Sequence, residues 1–279
     1  MSKMIDLVTK YLPYVDEVFS TESKRTLVTN NDFNWNGAKS VKVYKVTTAK
    51  MNDYNRDNEN NGSRYGKVET LNATTETMTL SKDRSFTFEI DRLDTDETEG
   101  QLASASALAR QIREVCIPEI DTYVYNVMCT NAGNKSEAIA LTSENIYNEI
   151  IKANCVLDDN EVPETNRVML VTPQVYLLLK QCKDITMETN IGNDLRLKGV
   201  IGIIDGITVI KIPANRLPND FGFMIAHPIA TVSPVKLEDY KIHSSPPGIS
   251  GDLVEGRLCY DAFVLDNKAK AIYYQAKTE

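Results

Sequence analysis

The stretch most suggestive of chemistry is "GVIGIIDGITVIKIP", Gly199–Pro213, with three glycines and one acid in an apolar run. A glycine-rich loop that cradles phosphate needs G-x-G-x-x-G or a Gly-Lys-Ser/Thr ending, and the stretch has neither. No helical pattern follows it, so no helix N-terminus is offered to an anion. Asp205-Gly206 instead separates two β-branched runs, the signature of a tight hairpin whose turn residues both take positive φ. Gly199 and Gly202 then mark a strand entry and a bulge or close packing.

The remaining reactive residues form no recognisable constellation. His227 precedes Pro228 inside an apolar run and reads as structural; His243 precedes a Ser-Ser-Pro-Pro loop and reads as exposed. Five cysteines (Cys116, Cys129, Cys155, Cys182, Cys259) are scattered with no C-x-x-C, and two histidines are too few for an ordinary zinc site. They read as reduced, mostly buried thiols. Ser233-Pro-Val-Lys236 spells S-x-x-K, but that motif needs a helical turn and Pro234 sits among strand-like residues. Asp91, Asp94, Asp96, Glu97 and Glu99 lack the order of a calcium loop and suit the start of a helix. No catalytic, cofactor-binding or metal-binding residue is assigned.

The whole chain sets the class. It has 279 residues, 42% apolar and 25% charged, enough for a sizeable globular core. Its net charge of −8 argues against nucleic-acid binding by counterion release. Asp6 and Lys10 interrupt any signal-peptide core, and no apolar run reaches membrane-spanning length.

Residues 1–35 read as an arm. Ser40–Met51 alternates as a strand, with Val41 and Val43 on one face and Lys42, Tyr44 and Val46 on the other. Asn52–Gly66 is a polar tip, and Thr77–Asp91 returns as a strand with Phe86, Phe88 and Ile90 on one face. Residues 36–91 therefore read as one long two-stranded excursion. A capping box at Thr98-Glu-Gly-Gln101 opens a helix over 98–128, its stripe running Ala105, Ala109, Ile112, Cys116, Ile120, Tyr123, Val127, with a bend at Pro118. A second helix spans 143–155 with Ser143 as its cap. Arg167–Val171 is a buried strand, and Thr172-Pro173 caps and opens a third helix. Strands follow at Phe221–Thr231 and over Gly256–Gln275, the latter turning at Asp266-Asn267.

This order of elements resembles the major capsid proteins of tailed bacteriophages, of Hong Kong 97 type. The resemblance covers nearly the whole chain. It is carried most by "RVMLVTPQVYLLLK", "GVIGIIDGITVIKIP", "FMIAHPIATVSPVKLEDYKI" and "GRLCYDAFVLDNKAKAIYYQ". It implies an α+β fold with an N-terminal arm (1–35), an extended loop (36–91), a peripheral domain with a long spine helix (92–128 and 227–279) and an axial domain (129–226). It further implies a coat protein that self-assembles through pentamers and hexamers into an icosahedral shell around phage double-stranded DNA. It implies a portal partner, no membrane and no cofactor, assembly in the host bacterial cytoplasm, and residence in the virion. No long charged helical region precedes Trp35, so either a scaffolding segment of that kind has been removed or a separate scaffolding protein does its work, and Met1 points to the latter. Two other readings stay open: the shell of an encapsulin-type bacterial nanocompartment, and an enzyme whose residues meet only in space.

Physics independent of the resemblance also favours assembly. A two-stranded ribbon is marginal alone in water. Val41, Val43, Tyr44, Phe86, Phe88 and Ile90 are expected to find cover on a neighbouring copy.

Overall fold

In a computed structural model of the chain, residues 23–30, 40–46, 48–54, 56, 64–66, 68–70, 73–92, 104–182 and 200–278 are described. The Thr98–Gln101 capping box, Gly199, Asp94, Asp96, Glu97, Glu99 and the arm before Ser23 lie outside these residues. The chain divides into two compact units, one of residues 35–80 and one that joins residues 1–34 to 81–279.

The smaller unit is built on a two-stranded ribbon. Strand β1 (Ser40–Val46) runs antiparallel to β2 (Ala73–Thr79), with Ser40 opposite Thr79 and Val46 opposite Ala73. The strand over 82–91 is not the second leg of this ribbon, which corrects the reading of 36–91 as one two-stranded excursion. β3 (Lys82–Asp91) pairs instead with β11 (Gly251–Tyr260), and β11 pairs in turn with β10 (Val235–Ser244). Alternation identifies which residues share a face of a strand; it is blind to a partner some 170 residues away.

In the larger unit the long helix spans 104–130 in three pieces: α1 (Ser104–Gln111), a π-helical turn (Ile112–Cys116) and α2 (Ile117–Thr130). The Ile117 N–H donates to the Ile112 carbonyl, five residues back. Pro118, next in the chain, has no N–H to offer Glu114, and the turn that precedes it is widened. One residue is thereby inserted into the helical repeat. The buried stripe runs Leu108, Ile112, Cys116, then steps by one to Ile117, Ile120, Val124 and Met128. Tyr123 and Val127, expected on the stripe, are only half-buried.

The second helix, α3 (Ile146–Asp159), starts later than expected, with Asn145 rather than Ser143 at its N-cap. Thr142 and Asn145 close the turn before it: the Thr142 N–H donates to Asn145 Oδ1 at 2.8 Å, and the Asn145 N–H donates to Thr142 Oγ1 at 3.3 Å. The helix buries Ile146, Ile150, Ala153 and Leu157 at helical spacing. α4 (Pro173–Gln181) begins as its sequence dictates, Thr172 Oγ1 accepting from the Val175 N–H at 3.2 Å.

A six-stranded sheet anchors the core. Its order is β4 (Asn134–Lys135), β13 (Ile272–Ala276), β8 (Phe221–Ala226), β5 (Val168–Val171), β7 (Ile207–Lys211) and β6 (Val200–Ile204). β5 and β8 lie inside this order and every residue of both is buried, hence their unbroken apolar runs. β13 pairs with β8 and β4, so residues 272–276 belong with the strands of 129–226, not with the rest of 227–279. The expected turn at Asp266-Asn267 is a 3-10 helix over Asp266–Ala271. It separates β12 (Phe263–Val264), which pairs with β9 (Thr231–Val232), from β13 in the large sheet.

Candidate assembly surfaces

The residues expected to contact a neighbour fall into two groups. Val41 and Val43 are half-buried on β1, opposite Met78 and Glu76, and Tyr44 stands opposite Thr75. Phe86, Phe88 and Ile90 lie on β3 in the larger unit. Ile90 is buried, and Phe86 and Phe88 pack against the core of their own protomer. The two rings stack at 6.1 Å between centroids, and Phe86 meets Tyr240 at 6.2 Å. Much of the cover that these three residues need is therefore supplied within the protomer.

Among the described residues, the most exposed large apolar side chains lie elsewhere. Met51 is 98% exposed and Val68 84%, and Tyr54 and Tyr65 are also exposed. The two tyrosines meet edge to face at 5.1 Å. All four sit in or beside the segment 52–66 that composition marks as polar. Counting residue types there hides two tyrosines among asparagines and charges. On the larger unit, the exposed large aliphatic residues among those described are Ile151 of α3, Leu177 of α4, Val115 in the π-turn and Ile229. Scattered singly such residues mean little; here four fall on one short segment.

Asp205 and Gly206 form the turn between β6 and β7, at φ 48° and 77°. The ladder shifts between Val200 and Gly202, the place of a bulge. Both turn residues are exposed.

His227, Cys116, Cys129 and Cys182 are held in the structure's interior or turns, whereas Cys155 and His243 are exposed and Cys259 is half-buried. His227 Nδ1 accepts from the Ile229 N–H at 3.2 Å, and burial holds its pKa below the ordinary histidine value. His243 stands 3.3 Å from Glu255 on an exposed strand face. All five cysteines are free thiols, and burial pushes Cys116 and Cys129 up to about 12, away from thiolate chemistry. Ser233 and Lys236 sit at the join of β9 and β10, with no helical turn between them. Among the described residues no group of His, Cys, Asp and Glu is placed to hold a metal ion, and no helix is long and apolar enough to cross a membrane.

The fold itself is that of tailed-phage capsid proteins. A chain of Mycobacterium phage Che8 superposes with a TM-score of 0.70 at 17% identity, over 91% of this chain and 90% of that one. A chain of the capsid of cyanophage P-SCSP1u gives 0.68 at 14% identity, over 91% and 87%. A chain of the virus-like particle from Pyrococcus furiosus gives 0.59 at 10% identity, over 96% and 99%. No protein-family model and no curated protein matches the sequence.

Proposed function

We propose that the chain is the major capsid protein of a tailed bacteriophage, a structural subunit and not a catalyst. The observation that carries this reading is the likeness to phage capsid chains across nine-tenths of both partners. In this reading copies associate as pentamers and hexamers, close into an icosahedral shell in the bacterial cytoplasm and remain in the virion around double-stranded DNA. A separate scaffolding protein and a portal complete the assembly. The 35–80 unit is the clamp between copies, Val41, Val43 and Tyr44 forming part of its body and Met51, Tyr54, Tyr65 and Val68 its contact end. The net charge of −8 suits a container wall that need not grip what it holds.

A second reading, the shell of a nanocompartment, is favoured by the near-complete overlap with the archaeal virus-like particle. The contents separate the two. Particles isolated from the native host are treated with nuclease and then opened. Protected double-stranded DNA supports the phage shell, a protein cargo without DNA supports the compartment, and the absence of any particle overturns both.

A further inference from the structure

Asp261 is only 3% exposed, yet among the described residues its carboxylate has no cationic hydrogen-bond partner. It accepts four neutral ones instead. The Ser81 N–H and hydroxyl donate to Oδ2 at 2.7 and 2.8 Å, and the Tyr123 hydroxyl and the Ala262 N–H donate to Oδ1 at 2.7 and 2.8 Å. Ser81 is the first residue after the 35–80 unit. The carboxylate thus ties the point where the ribbon leaves the chain's main body to α2. Lys82 adds to the tie, its Nζ standing 5.0 Å from the centre of the Tyr123 ring. Burial and the bond to Asp261 push Tyr123 up to about 12, which keeps it a donor.

A second buried aspartate does the same for the N-terminal segment. Asp121 is 1% exposed and accepts from the Ser23 hydroxyl at 2.8 Å and from Arg216 Nη1 at 2.9 Å. Lys24 Nζ donates to the Lys211 carbonyl at 2.9 Å, and the Asn30 N–H donates to the Thr231 carbonyl at 2.7 Å. Asp121 and Tyr123 are two residues apart on α2, hence about 200° apart around the helix. One turn of the helix therefore holds the N-terminal segment on one side and the ribbon root on the other.

We propose that this turn of α2 is a common anchor, and that Asp261 and Asp121 are positioning residues that fix where the ribbon and the N-terminal segment leave the body. The proposal rests on the reading of the chain as a shell subunit. A clamp reaches a neighbouring copy in a repeatable place only if its root is fixed, because error at the root is magnified along the ribbon. Asp261 thereby acts on assembly through Ser81 without touching the neighbour.

The test compares the full-length chain with Asp261→Asn by hydrogen exchange, thermal melting and electron microscopy. An amide retains one acceptor oxygen where the carboxylate had two. The Ser81 amide should exchange about tenfold faster or more, the loss of a bond to a charged acceptor. Exchange at Lys24 and Arg25 should not change. The yield of closed shells should fall about tenfold while the protomer remains folded. Should Asp261→Asn not fold, Ser81→Ala and Tyr123→Phe each remove one hydroxyl from the carboxylate while leaving the residue-81 N–H bond to Oδ2, and the yield of closed shells from a folded protomer is read in their place: a fall supports the anchor and normal shells from both overturn it. Unchanged exchange at Ser81, or normal shells despite a loosened Ser81, overturns the anchor. A wild-type chain that forms no shells overturns the shell reading instead, and the exchange at Ser81 still decides the anchor in the protomer.

Discussion

Phe86 lies across Gly256, its directly paired residue on β11: a Cβ built on the glycine would fall 2.3 Å from the ring's Cζ. This contact fixes the role of the β3 phenylalanines. Phe86 reaches over a strand with no side chain at that position and stacks between Phe88 and Tyr240. Gly256→Ala should therefore push the ring off its site and lower protomer stability by about 1–3 kcal/mol, the usual cost of overpacking. Chemical denaturation with circular dichroism measures it.

The same contact changes what Phe86→Ser with Phe88→Ser should do. Were these rings only clamp residues, the double variant would leave a sound protomer unable to assemble. Since they pack half-buried on their own core, it should lose about 1.5–3 kcal/mol of stability in all, roughly half of what two fully buried rings would contribute. Melting of the unassembled protomer distinguishes the two: an unaltered melting curve contradicts the packing described.

Gly206 offers a contrast, because nothing lies within 4 Å of a Cβ placed there and its φ is 77°. Only backbone strain opposes a side chain. Gly206→Val should cost about 1–2 kcal/mol, and Gly206→Asn clearly less, since Asn tolerates the left-handed region. Equal losses for both would show that crowding, not conformation, selects glycine.

His227 provides a pH test. Its pKa lies below the ordinary 6.5, chiefly through burial, and its Nδ1 is an acceptor only while unprotonated. The unfolded chain takes up the proton first as pH falls. The site's contribution is thus complete above pH 6.5 and is lost as pH drops from there through the lowered native value. His227→Asn keeps a capping acceptor and should be free of this loss. Melting temperatures of both proteins from pH 8 to 5 should diverge below 6.5; parallel curves refute the assignment.

Arg167 is a buried cation with a spread set of partners. Nη2 donates to the Val162 carbonyl at 2.5 Å and pairs with Asp158 at 2.7 Å, Nε donates to the Pro163 carbonyl at 3.0 Å, and Nη1 donates to Asn154. It binds the end of α3 and the following loop to the start of β5. Lysine cannot reproduce the planar fork. Arg167→Lys should cost about 3 kcal/mol, read from denaturant midpoints, with Arg167→Met costing more because Asp158 and the carbonyls lose every donor.

Local signals made much of this architecture legible. Thr172-Pro173 and Asp205-Gly206 each carry their geometry within a few residues, so the third helix and the β6–β7 turn could be read directly. The partner of β3 could not, because alternation does not encode which strand lies alongside. The shift of the stripe at Cys116 needed the π-turn, whose only trace in sequence is Pro118. The apolar tip was masked by its own composition. Asp261 gave no signal at all: its partners Ser81 and Tyr123 are 180 and 138 residues away, and only the fold brings them together.

Whether this chain builds a closed shell is read most directly by negative-stain electron microscopy of the purified protein. A capsid subunit should give closed particles of uniform diameter, with rings of five and six subunits among incomplete assemblies. Monomers alone, with neither rings nor shells up to the solubility limit and with scaffolding protein supplied, would contradict it.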